Sequence, residues 1–369
     1  MLKLQLEKLD SIMEKEKITS IILTGPDNIE YFLGVRTIAD SPLLLHYERK
    51  GEPKLYVPLL EYYRFRDYLE DTNVKIYAVS KSLKPSDASV VDKSFKEIIS
   101  SLSKEEKIGY DKEYASPLTS YVLSALSNKI VDISNHISKY RMIKEDWEIE
   151  NIKKAVTITS KGILEMVNNL SENITETELS GFFEFRVRRA GVDEYAFPPL
   201  VLFKPNNSYP HHLPTSNRLG KRNLVLVDVG VKYGGRCSDL TRMIIWGRKN
   251  KEELRTIEAV NEAIDNVIDA GQPGMKASEL AEIAIKTLEK YGLSEKFIHG
   301  LGHGFGILVH EPPYIRIGSE TLLEPGMVFT IEPGVYFAGK YGVRIEEDVL
   351  VTKRGLRILS KDLKRVFIT

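Results

Sequence analysis

The sequence predicts a two-domain protein of the α/β (α+β) class. Its 369 residues exceed the size at which a single hydrophobic core usually stops growing, about 250–300 residues. Short strands alternate with helices over the first part of the chain, which favours a mixed α/β sheet. A long amphipathic helix that begins near Glu145 and a strand-rich end indicate a second domain. We therefore divide the chain into domains of residues 1–137 and 138–369.

The first domain is predicted from short apolar runs separated by turn residues. Residues 20–24 (SIILT) are typical of a buried strand, and the GPDN sequence at 25–28 predicts a turn. Two apolar segments on either side of the sequence KGEP predict a hairpin. The two hairpin strands are predicted at 43–46 and 54–57. Further strands are predicted at 75–79 and 107–110, and a helix over 91–102.

The second domain is predicted from helical periodicity and from apolar strands. After Glu145, apolar residues recur at helical spacing, at Ile149, Ile152, Val156, Ile163 and Met166. Further helices are expected over 177–189, 253–270 and 278–291. Strands are expected at 223–229, 241–246, 327–332 and 343–352 and near Val366.

Composition restricts the class of protein and its partners. Lys and Arg together number 52, as do Asp and Glu, so we expect neither nucleic acid nor a membrane surface as partner, because both select basic proteins. The single cysteine excludes an internal disulfide and a multi-thiolate zinc site. The apolar runs are too short to cross a bilayer, and the start of the chain shows no signal-peptide pattern. The sequence thus predicts a cytoplasmic protein.

Four acidic residues interrupt or border apolar strands of the second domain. Asp228 ends the apolar run of LVLVDVG, and Asp239 follows eleven residues later. Glu332 ends VFTIEPG, and Glu346 interrupts GVRIEEDVLV. Each alone could be a strand-end residue that faces water, but buried carboxylates are costly unless a cation compensates them. Together they favour a bound metal ion.

Five of the seven histidines lie between residues 211 and 310, at His211, His212, His299, His303 and His310. In HGLGHGFG, glycine recurs at alternate positions, which lets the backbone approach a ligand closely. The sequence contains no HExxH motif, so a helical zinc-protease site is excluded. Carboxylate oxygens with one imidazole suit Mn²⁺, Co²⁺ or Zn²⁺.

The order and spacing of Asp228, Asp239, His303, Glu332 and Glu346 resemble the five metal ligands of the "pita-bread" metallopeptidases. This group includes methionine aminopeptidase, aminopeptidase P, prolidase and creatinase. The resemblance spans about residues 145–369 and is carried by PHH (210–212), VDVG (227–230), CSDLTR (237–242), HGLGHGFG (299–306), VHEPP (309–313), TIEPG (330–334) and VRIEED (343–348).

The region before residue 138, including NIEYFLG (28–34), is similar to the amino-terminal domain of the prolidase and aminopeptidase P branch. Methionine aminopeptidases lack this domain. The resemblance therefore implies a creatinase-like α/β domain followed by a catalytic pita-bread domain, and it favours the proline-directed branch.

The implied function is that of a dinuclear-metal-dependent exopeptidase that hydrolyses the peptide bond before proline. The first interpretation is a prolidase, which cleaves Xaa-Pro dipeptides. The alternative is an aminopeptidase P, which removes the first residue of Xaa-Pro-Yaa peptides, and a third is an inactive peptide-binding relative. The resemblance implies a small peptide with proline at position two as substrate, two divalent metal ions, with Mn²⁺ or Co²⁺ preferred over Zn²⁺, and a homodimer.

The resemblance also implies a role for each ligand. Asp228 is expected to hold one metal ion, and His303 and Glu332 the other. Asp239 and Glu346 are expected to bridge the two ions. Glu332 is further expected to transfer a proton from the nucleophile to the leaving nitrogen of proline.

Further residues are expected to contact the substrate. His211 and His310 match histidines that stabilise the tetrahedral intermediate, and His299 matches a histidine near the proline pocket. Arg344 is expected to serve the site by binding substrate or by pairing with a ligating carboxylate on its own strand face. Tyr314 stands where some archaeal relatives have an arginine for the substrate carboxylate, and Arg316 lies two residues further on.

Overall fold

The computed structural model describes residues 5–37, 41–102, 107–114 and 116–369. Its contacts divide the chain into two compact units, Met1–Tyr140 and Arg141–Thr369. The predicted division after residue 137 lies three residues before this one. The prediction that the chain starts without a signal peptide concerns residues that include 1–4, which lie outside the described residues.

A mixed seven-stranded sheet forms the described part of the first unit. The strand order is β5-β4-β3-β2-β1-β6-β7, and β2 alone runs antiparallel to its neighbours. The elements up to Met142 are α1 Leu6–Glu16, β1 Ser20–Leu23, α2 Pro26–Leu33, β2 Leu44–Glu48, β3 Lys54–Pro58, α3 Leu59–Tyr68, β4 Lys75–Val79, β5 Val90–Val91, α4 Phe95–Ser101, β6 Ile108–Tyr110, α5 Thr119–Leu126, β7 Ile130–Asp132 and α6 Ser134–Met142.

Two sequence predictions for this unit were wrong in detail. The predicted turn at 25–28 is instead the start of α2, since Pro26 occupies the first helical turn, where its missing N–H costs nothing. The helix predicted from residue 91 begins only at Phe95, because Val91 pairs with Val79 in the sheet. The predicted hairpin of β2 and β3 is confirmed.

The second unit contains four sheets in its described residues, packed with long helices. The strand orders are β21-β13-β10-β9, β12-β11-β8, β15-β14-β16-β19-β20 and β17-β18. The helices are α7 Asp146–Asn168, α8 Glu176–Arg189, α9 Lys251–Ala270 and α10 Ala277–Lys290. The strands are β8 Glu194–Tyr195, β9 Leu200–Phe203, β10 Asn223–Val229, β11 Val231–Tyr233, β12 Arg236–Cys237, β13 Leu240–Trp246, β14 Gly302–Gly304, β15 Glu311–Ile315, β16 Val328–Ile331, β17 Gly334–Phe337, β18 Tyr341–Arg344, β19 Glu347–Thr352, β20 Gly355–Ile358 and β21 Val366–Ile368.

Strand β10 lies between two hydrophobic cores. Leu224 and Leu226 belong to one buried cluster, which includes the apolar faces of α9 and α10. Val225 and Val227 belong to the other, which includes residues of α7 and α8. Successive side chains of a strand point to opposite faces, so a strand covered on both sides reads as a continuous apolar run. Asp228, which follows this apolar run in β10, is therefore buried as well.

The single strand predicted at 343–352 is two strands in the structure. β18 ends at Arg344 and pairs with β17, whereas β19 begins at Glu347 and pairs with β16. Glu346 lies between them and donates its backbone N–H to the carbonyl of Thr241 (3.1 Å). A continuous apolar run does not show where a chain leaves one sheet for another, which is why the sequence pattern missed this break.

No helix among the described residues has the length and apolar character that a membrane span requires.

A buried ionic cluster joins Glu311, at the start of β15, to Arg141 and Lys144. The Glu311 carboxylate accepts hydrogen bonds from Arg141 Nη2 (2.6 Å) and Lys144 Nζ (2.8 Å), and all three side chains are almost completely buried. Burial alone would raise the pKa of Glu311, but the charges of Lys144 and Arg141 outweigh it and lower that pKa to about 2. The cluster fixes the backbone that directly follows His310.

We predict that Glu311→Gln lowers the free energy of unfolding by about 3–5 kcal/mol, because it leaves two buried cations without a counter-charge. The depressed pKa of Glu311 means that its contribution is present above about pH 4.5 and is lost as the pH falls towards 2. Urea unfolding at several pH values measures both effects.

Glu150→Gln is the control, since Glu150 forms an exposed pair with Lys153 (2.6 Å). It should change stability little at neutral pH. Equal losses in the two variants would contradict a special role for the buried cluster.

Candidate functional site

The candidate site is a cavity of about 530 Å³ within the second unit. Its size is that of an ordinary small-molecule pocket. The walls combine carboxylates, histidines and apolar side chains. The lining residues are Phe197, Pro198, Leu200, Pro210, His211, Leu213, Asp228, Asp239, His299, Gly300, Gly302, His303, His310, Tyr314, Arg316, Glu332, Arg344 and Glu346.

The structure brings together all five residues that the sequence analysis identified as metal ligands. Asp228 lies near the end of β10, and Asp239 directly precedes β13, which pairs with β10. His303 lies in β14 and Glu332 directly follows β16, which also pair with each other. Glu346 occupies the break between β18 and β19.

The geometry of this group fits a cation. Ligand atoms of Asp239, His303 and Glu346 all lie within 4.8 Å of one another. Asp228 Oδ1 is buried and has no hydrogen-bond partner, which is costly for a charged oxygen. A metal ion would satisfy this oxygen and would offset the repulsion between the carboxylates.

Titration behaviour supports the same interpretation. Burial raises the pKa of Asp239 well above its ordinary value, and the nearby carboxylates of Glu346 and Asp228 raise it further. Burial followed by the charges of Glu332 and Asp228 likewise raises the pKa of Glu346. The negative forms of these carboxylates are therefore unfavourable unless a positive charge lies close by, which is what a bound cation provides.

His303 has the orientation of a metal ligand. Its Nδ1 lies 3.2 Å from the carbonyl oxygen of Gly304, to which it can donate a hydrogen bond. Its Nε2 faces the carboxylates, 3.2 Å from Glu332 Oε1 and 3.8 Å from Asp239 Oδ2. A histidine whose one nitrogen donates to a carbonyl presents the other nitrogen to a metal.

The backbone here needs glycine because the strands approach closely. A Cβ atom on Gly302 would overlap the carbonyl group of Thr330, and one on Gly304 would overlap the backbone of Pro312. These contacts explain the two glycines on either side of His303. The glycines allow β14 to lie between β15 and β16 and carry His303 into the cavity.

Two supporting residues were missed by the sequence analysis. Thr241 Oγ1 donates a hydrogen bond to Glu346 Oε2 (2.8 Å), and Thr241 is the cross-strand partner of Asp228. Asp348 Oδ2 accepts a hydrogen bond from the backbone N–H of Asp239 (3.1 Å). The motifs CSDLTR and VRIEED contain these residues, but only the pairing of distant strands shows what they contact.

Arg344 pairs with a candidate ligand. Its guanidinium donates hydrogen bonds to Asp228 Oδ2 and to the hydroxyl of Tyr336 (2.6 Å). Arg344 is almost completely buried. Of its two expected roles, its contacts match pairing with a candidate metal-ligating carboxylate and not substrate binding. Arg344 and Glu346 both line the cavity, but they do not belong to one strand: β18 ends at Arg344, and Glu346 lies in the break before β19.

Tyr336, which the sequence analysis also missed, connects Arg344 to His299. The Tyr336 hydroxyl lies 3.2 Å from His299 Nε2, and His299 Nδ1 lies 2.8 Å from the carbonyl oxygen of Gly300. Burial lowers the pKa of His299. His299 lines the cavity, and burial disfavours its charged form.

The remaining histidines differ in position. His310 packs its ring against His303, with centroids 4.3 Å apart, and lines the cavity. His211 lines the cavity from the loop between β9 and β10. Neighbouring His212 is not among the lining residues, and its Nδ1 lies 2.7 Å from the carbonyl oxygen of Leu213.

Tyr314 and Arg316 both reach the cavity from the β15 end. Tyr314 is the cross-strand partner of His303, which places it beside the candidate ligands. The Arg316 guanidinium lies 5.5 Å from the centre of the Tyr314 ring. Arg316 is exposed, whereas Arg344 is occupied by Asp228. Arg316 is thus a positively charged lining residue that is free to contact a molecule bound in the cavity.

Comparisons with known proteins agree with this site. Residues 150–353 match the model of metallopeptidase family M24, and residues 5–143 match the creatinase/prolidase N-terminal domain. The Xaa-Pro dipeptidase of Pyrococcus furiosus is 32% identical over 98% of both chains. A prolidase structure from Thermococcus sibiricus has a TM-score of 0.87 at 31% identity, covering 99% of this chain and 98% of that one. The X-Pro aminopeptidase structure from Thermotoga maritima also has a TM-score of 0.87, at 26% identity, covering 100% of both chains.

The fold and the site together define a two-domain metallopeptidase, an enzyme that uses divalent metal ions. More particularly, the chain belongs to metallopeptidase family M24 and carries a creatinase/prolidase N-terminal domain. The fold class and the family resemblance predicted from the sequence are confirmed.

We predict that divalent metal stabilises the wild-type protein far more than it stabilises the variant Asp239→Asn. At a free metal concentration about 100 times Kd, a ligand that binds only the folded state adds about 2.7 kcal/mol. Without metal, Asp239→Asn should melt at a higher temperature than the wild type, because it removes one of several repelling charges. Differential scanning calorimetry after chelation, with and without Mn²⁺, measures both changes.

Asp269→Asn is the matched control, since Asp269 is exposed on α9. It should respond to metal as the wild type does. If Asp239→Asn also kept the full metal response, Asp239 would not be a ligand.

Proposed function

We propose that this metallopeptidase hydrolyses Xaa-Pro dipeptides. The observation that carries the proposal is a cavity lined by all five candidate ligands and by the exposed Arg316. The relatives named Xaa-Pro dipeptidase or prolidase, which align over nearly the whole chain, support it. A free dipeptide carries a carboxylate close to the scissile bond, and Arg316 is available for that group.

We further propose how the ligands divide the metal ions. Asp228 would hold one ion and His303 and Glu332 the other, while Asp239 and Glu346 would hold both. The bound ions would supply Lewis-acid chemistry, polarising the scissile carbonyl and making water a stronger nucleophile at neutral pH. Mn²⁺ or Co²⁺ is the proposed metal, with Zn²⁺ a further possibility, since four carboxylates and one imidazole suit these ions.

The protein's own groups would bind the substrate and move protons. Glu332 Oε1 would accept a proton from the attacking water and deliver it to the nitrogen of proline. Burial and the neighbouring charge of His303 lower the pKa of His310 to about 4. His310 is therefore neutral at pH 7 and would donate its N–H to the oxygen that becomes negative in the transition state. His211 would donate from the opposite loop.

The substrate's proline would occupy the apolar part of the cavity. His299 presents a neutral ring there, and Phe297 packs edge-on against that ring with centroids 5.1 Å apart. Tyr314 would form the side of the pocket that leads to Arg316. The tertiary amide before proline has no N–H, so recognition depends on shape and on the two ends of the substrate.

An aminopeptidase that acts on Xaa-Pro-Yaa peptides is the second candidate. The specific observation in its favour is the likeness to the X-Pro aminopeptidase structure, which extends over 100% of both chains. Such an enzyme must leave room beyond the proline, and Arg316, being exposed, could move aside for a longer peptide. An inactive peptide-binding relative is disfavoured because all five candidate ligands are present.

We also propose a cytoplasmic location and a homodimeric assembly. The single cysteine, buried in β12 and without a disulfide partner, is compatible with a reducing compartment. The homodimer is supported by the family resemblance.

We predict that the protein cleaves Leu-Pro faster than Leu-Pro-Gly and that chelation abolishes both activities. The free carboxylate of the dipeptide lies where Arg316 can reach it, whereas that of the tripeptide lies one residue further out. Ratios of kcat/KM for the two peptides, measured after dialysis against chelator and after adding Mn²⁺ or Co²⁺, test this. Equal rates before and after metal removal would exclude a metallopeptidase mechanism, and faster cleavage of the tripeptide would favour the aminopeptidase.

We predict that Arg316→Gln raises KM for Leu-Pro by about tenfold or more, since a hydrogen bond to a charged group contributes about 1.5–3 kcal/mol. Leu-prolinamide, which keeps the amino group but has no carboxylate for Arg316 to bind, should show little change. Arg354→Gln, at an exposed position on the turn between β19 and β20, is the control. An equal rise in KM for both substrates would show that Arg316 does not read the carboxylate.

A further inference from the structure

Glu176 is a completely buried carboxylate outside the cavity, at the first residue of α8. In the described part of the chain, no lysine, arginine or histidine pairs with it. A buried charge without a counter-ion persists only when several hydrogen bonds satisfy it. The position of Glu176 at the start of α8 also stabilises its negative charge, because the backbone amides at a helix N-terminus favour an anion.

Neutral donors from the end of β9 and from the loop that follows it surround this carboxylate. Oε1 accepts from the backbone N–H of Phe203 (2.7 Å) and from Asn217 Nδ2 (3.4 Å). Oε2 accepts from the backbone N–H (2.9 Å) and the hydroxyl (2.7 Å) of Thr215. Asn206 Nδ2 lies within 3.1 Å of both oxygens. No other buried carboxylate described in this chain collects so many donors from a single loop.

The donors stand on both sides of His211. Phe203, the last residue of β9, and Asn206 precede His211 along the chain, and Thr215 and Asn217 follow it on the return towards β10. Glu176 therefore closes the base of the segment that carries His211 to the cavity. Arg344 Nη1 contacts the carbonyl of Pro210 (3.3 Å) on the outgoing side.

The His211 side chain has no hydrogen bond of its own within the described residues. Its position must therefore follow from the loop that bears it. The hydrogen bond of the next histidine, His212, is local and reaches only Leu213. The anchoring points of the loop include the Glu176 carboxylate and backbone hydrogen bonds from Glu176 and Thr177 at its base. They also include the β17-β18 hairpin, where Asn207 Oδ1 accepts the backbone N–H of Gly342 (3.3 Å).

We infer that Glu176 is a positioning residue for the cavity: its carboxylate closes the 203–217 loop and thereby holds His211 where it meets the substrate. The role given to His211 rests on the proposed function. The role of Glu176 in holding the loop rests on the geometry alone. Glu176 does not touch the cavity, so it acts only through the loop.

Glu176→Gln is the test variant, because it keeps the size of the side chain. Whichever oxygen the amide nitrogen replaces, it would face at least two N–H donors. The expected result is a fall in kcat/KM of about 100-fold, the cost of displacing a reacting group by about 1 Å. Metal content per chain should remain that of the wild type.

A double-mutant cycle with His211→Ala separates positioning from general damage. If Glu176 acts through His211, then Glu176→Gln should cause almost no further loss in the His211→Ala background, as coupled residues show. Losses that multiply, each variant reducing the rate independently, would overturn the inference. Glu178→Gln is the matched control: it removes a charge from the same helix turn, but its hydrogen bonds go to Thr175 and not to the loop.

A second readout does not depend on activity. Amide hydrogen exchange followed by mass spectrometry should show faster exchange in the loop between β9 and β10 of Glu176→Gln, with α9 and α10 unchanged. Unchanged exchange in the loop would overturn the inference, as would equal acceleration in Glu178→Gln. If wild-type protein failed to cleave any Xaa-Pro peptide, the proposed function would fall while the exchange experiment still decided the role of Glu176.

Asn206→Ala serves if Glu176→Gln does not fold. It removes two contacts to the same carboxylate from the loop side, where the side chain is half-buried. The same pattern is expected on a smaller scale: reduced kcat/KM, little further loss with His211→Ala and faster exchange in the loop. Full activity with wild-type exchange in Asn206→Ala would overturn the inference.

Discussion

The carboxylates of Asp228, Asp239 and Glu346 share one buried region, and much of the second unit is arranged to keep them there. Burial raises the pKa of all three carboxylates, and repulsion from neighbouring carboxylates raises these pKa values further. The strands that carry them are packed in two hydrophobic cores and cannot separate without exposing apolar surface. Metal binding and the stability of this unit are therefore coupled.

The hydrogen bonds around the site orient the ligands without neutralising them. Thr241 supports Glu346 with a neutral hydroxyl, and Asp348 supports Asp239 through the backbone while adding another negative charge nearby. Arg344 contributes one positive charge, directed at one oxygen of Asp228. The other oxygen of Asp228 stays unpaired. The protein thus supplies orientation and a surplus of negative charge, which is the combination that a cation needs.

Ligands and recognition groups come from different kinds of structure. The ligands lie on or directly beside paired strands, where register fixes their mutual distances. The groups proposed to recognise the substrate lie on the loop with His211 and beyond β15 at Arg316. Loops vary more readily than paired strands, so relatives named prolidase and aminopeptidase can share the metal site and differ at the rim. A buried anchor such as Glu176 gives one of these loops the order that catalysis requires.

The sequence by itself determined the family and the fold class, and it singled out five candidate ligands that the structure places around one cavity. It could do so because acidic residues in apolar strands and glycines around His303 form a distinctive pattern. It also predicted β10, α9 and α10 closely, since apolar periodicity is a local property. Local pattern did not show that the run at 343–352 divides between two sheets, or that Pro26 starts a helix. Nor could it find Thr241, Asp348, Tyr336 or Glu176, which are ordinary residues until the fold brings distant strands and loops against them. Contacts between segments far apart in the chain decide such roles, and only the tertiary structure contains them.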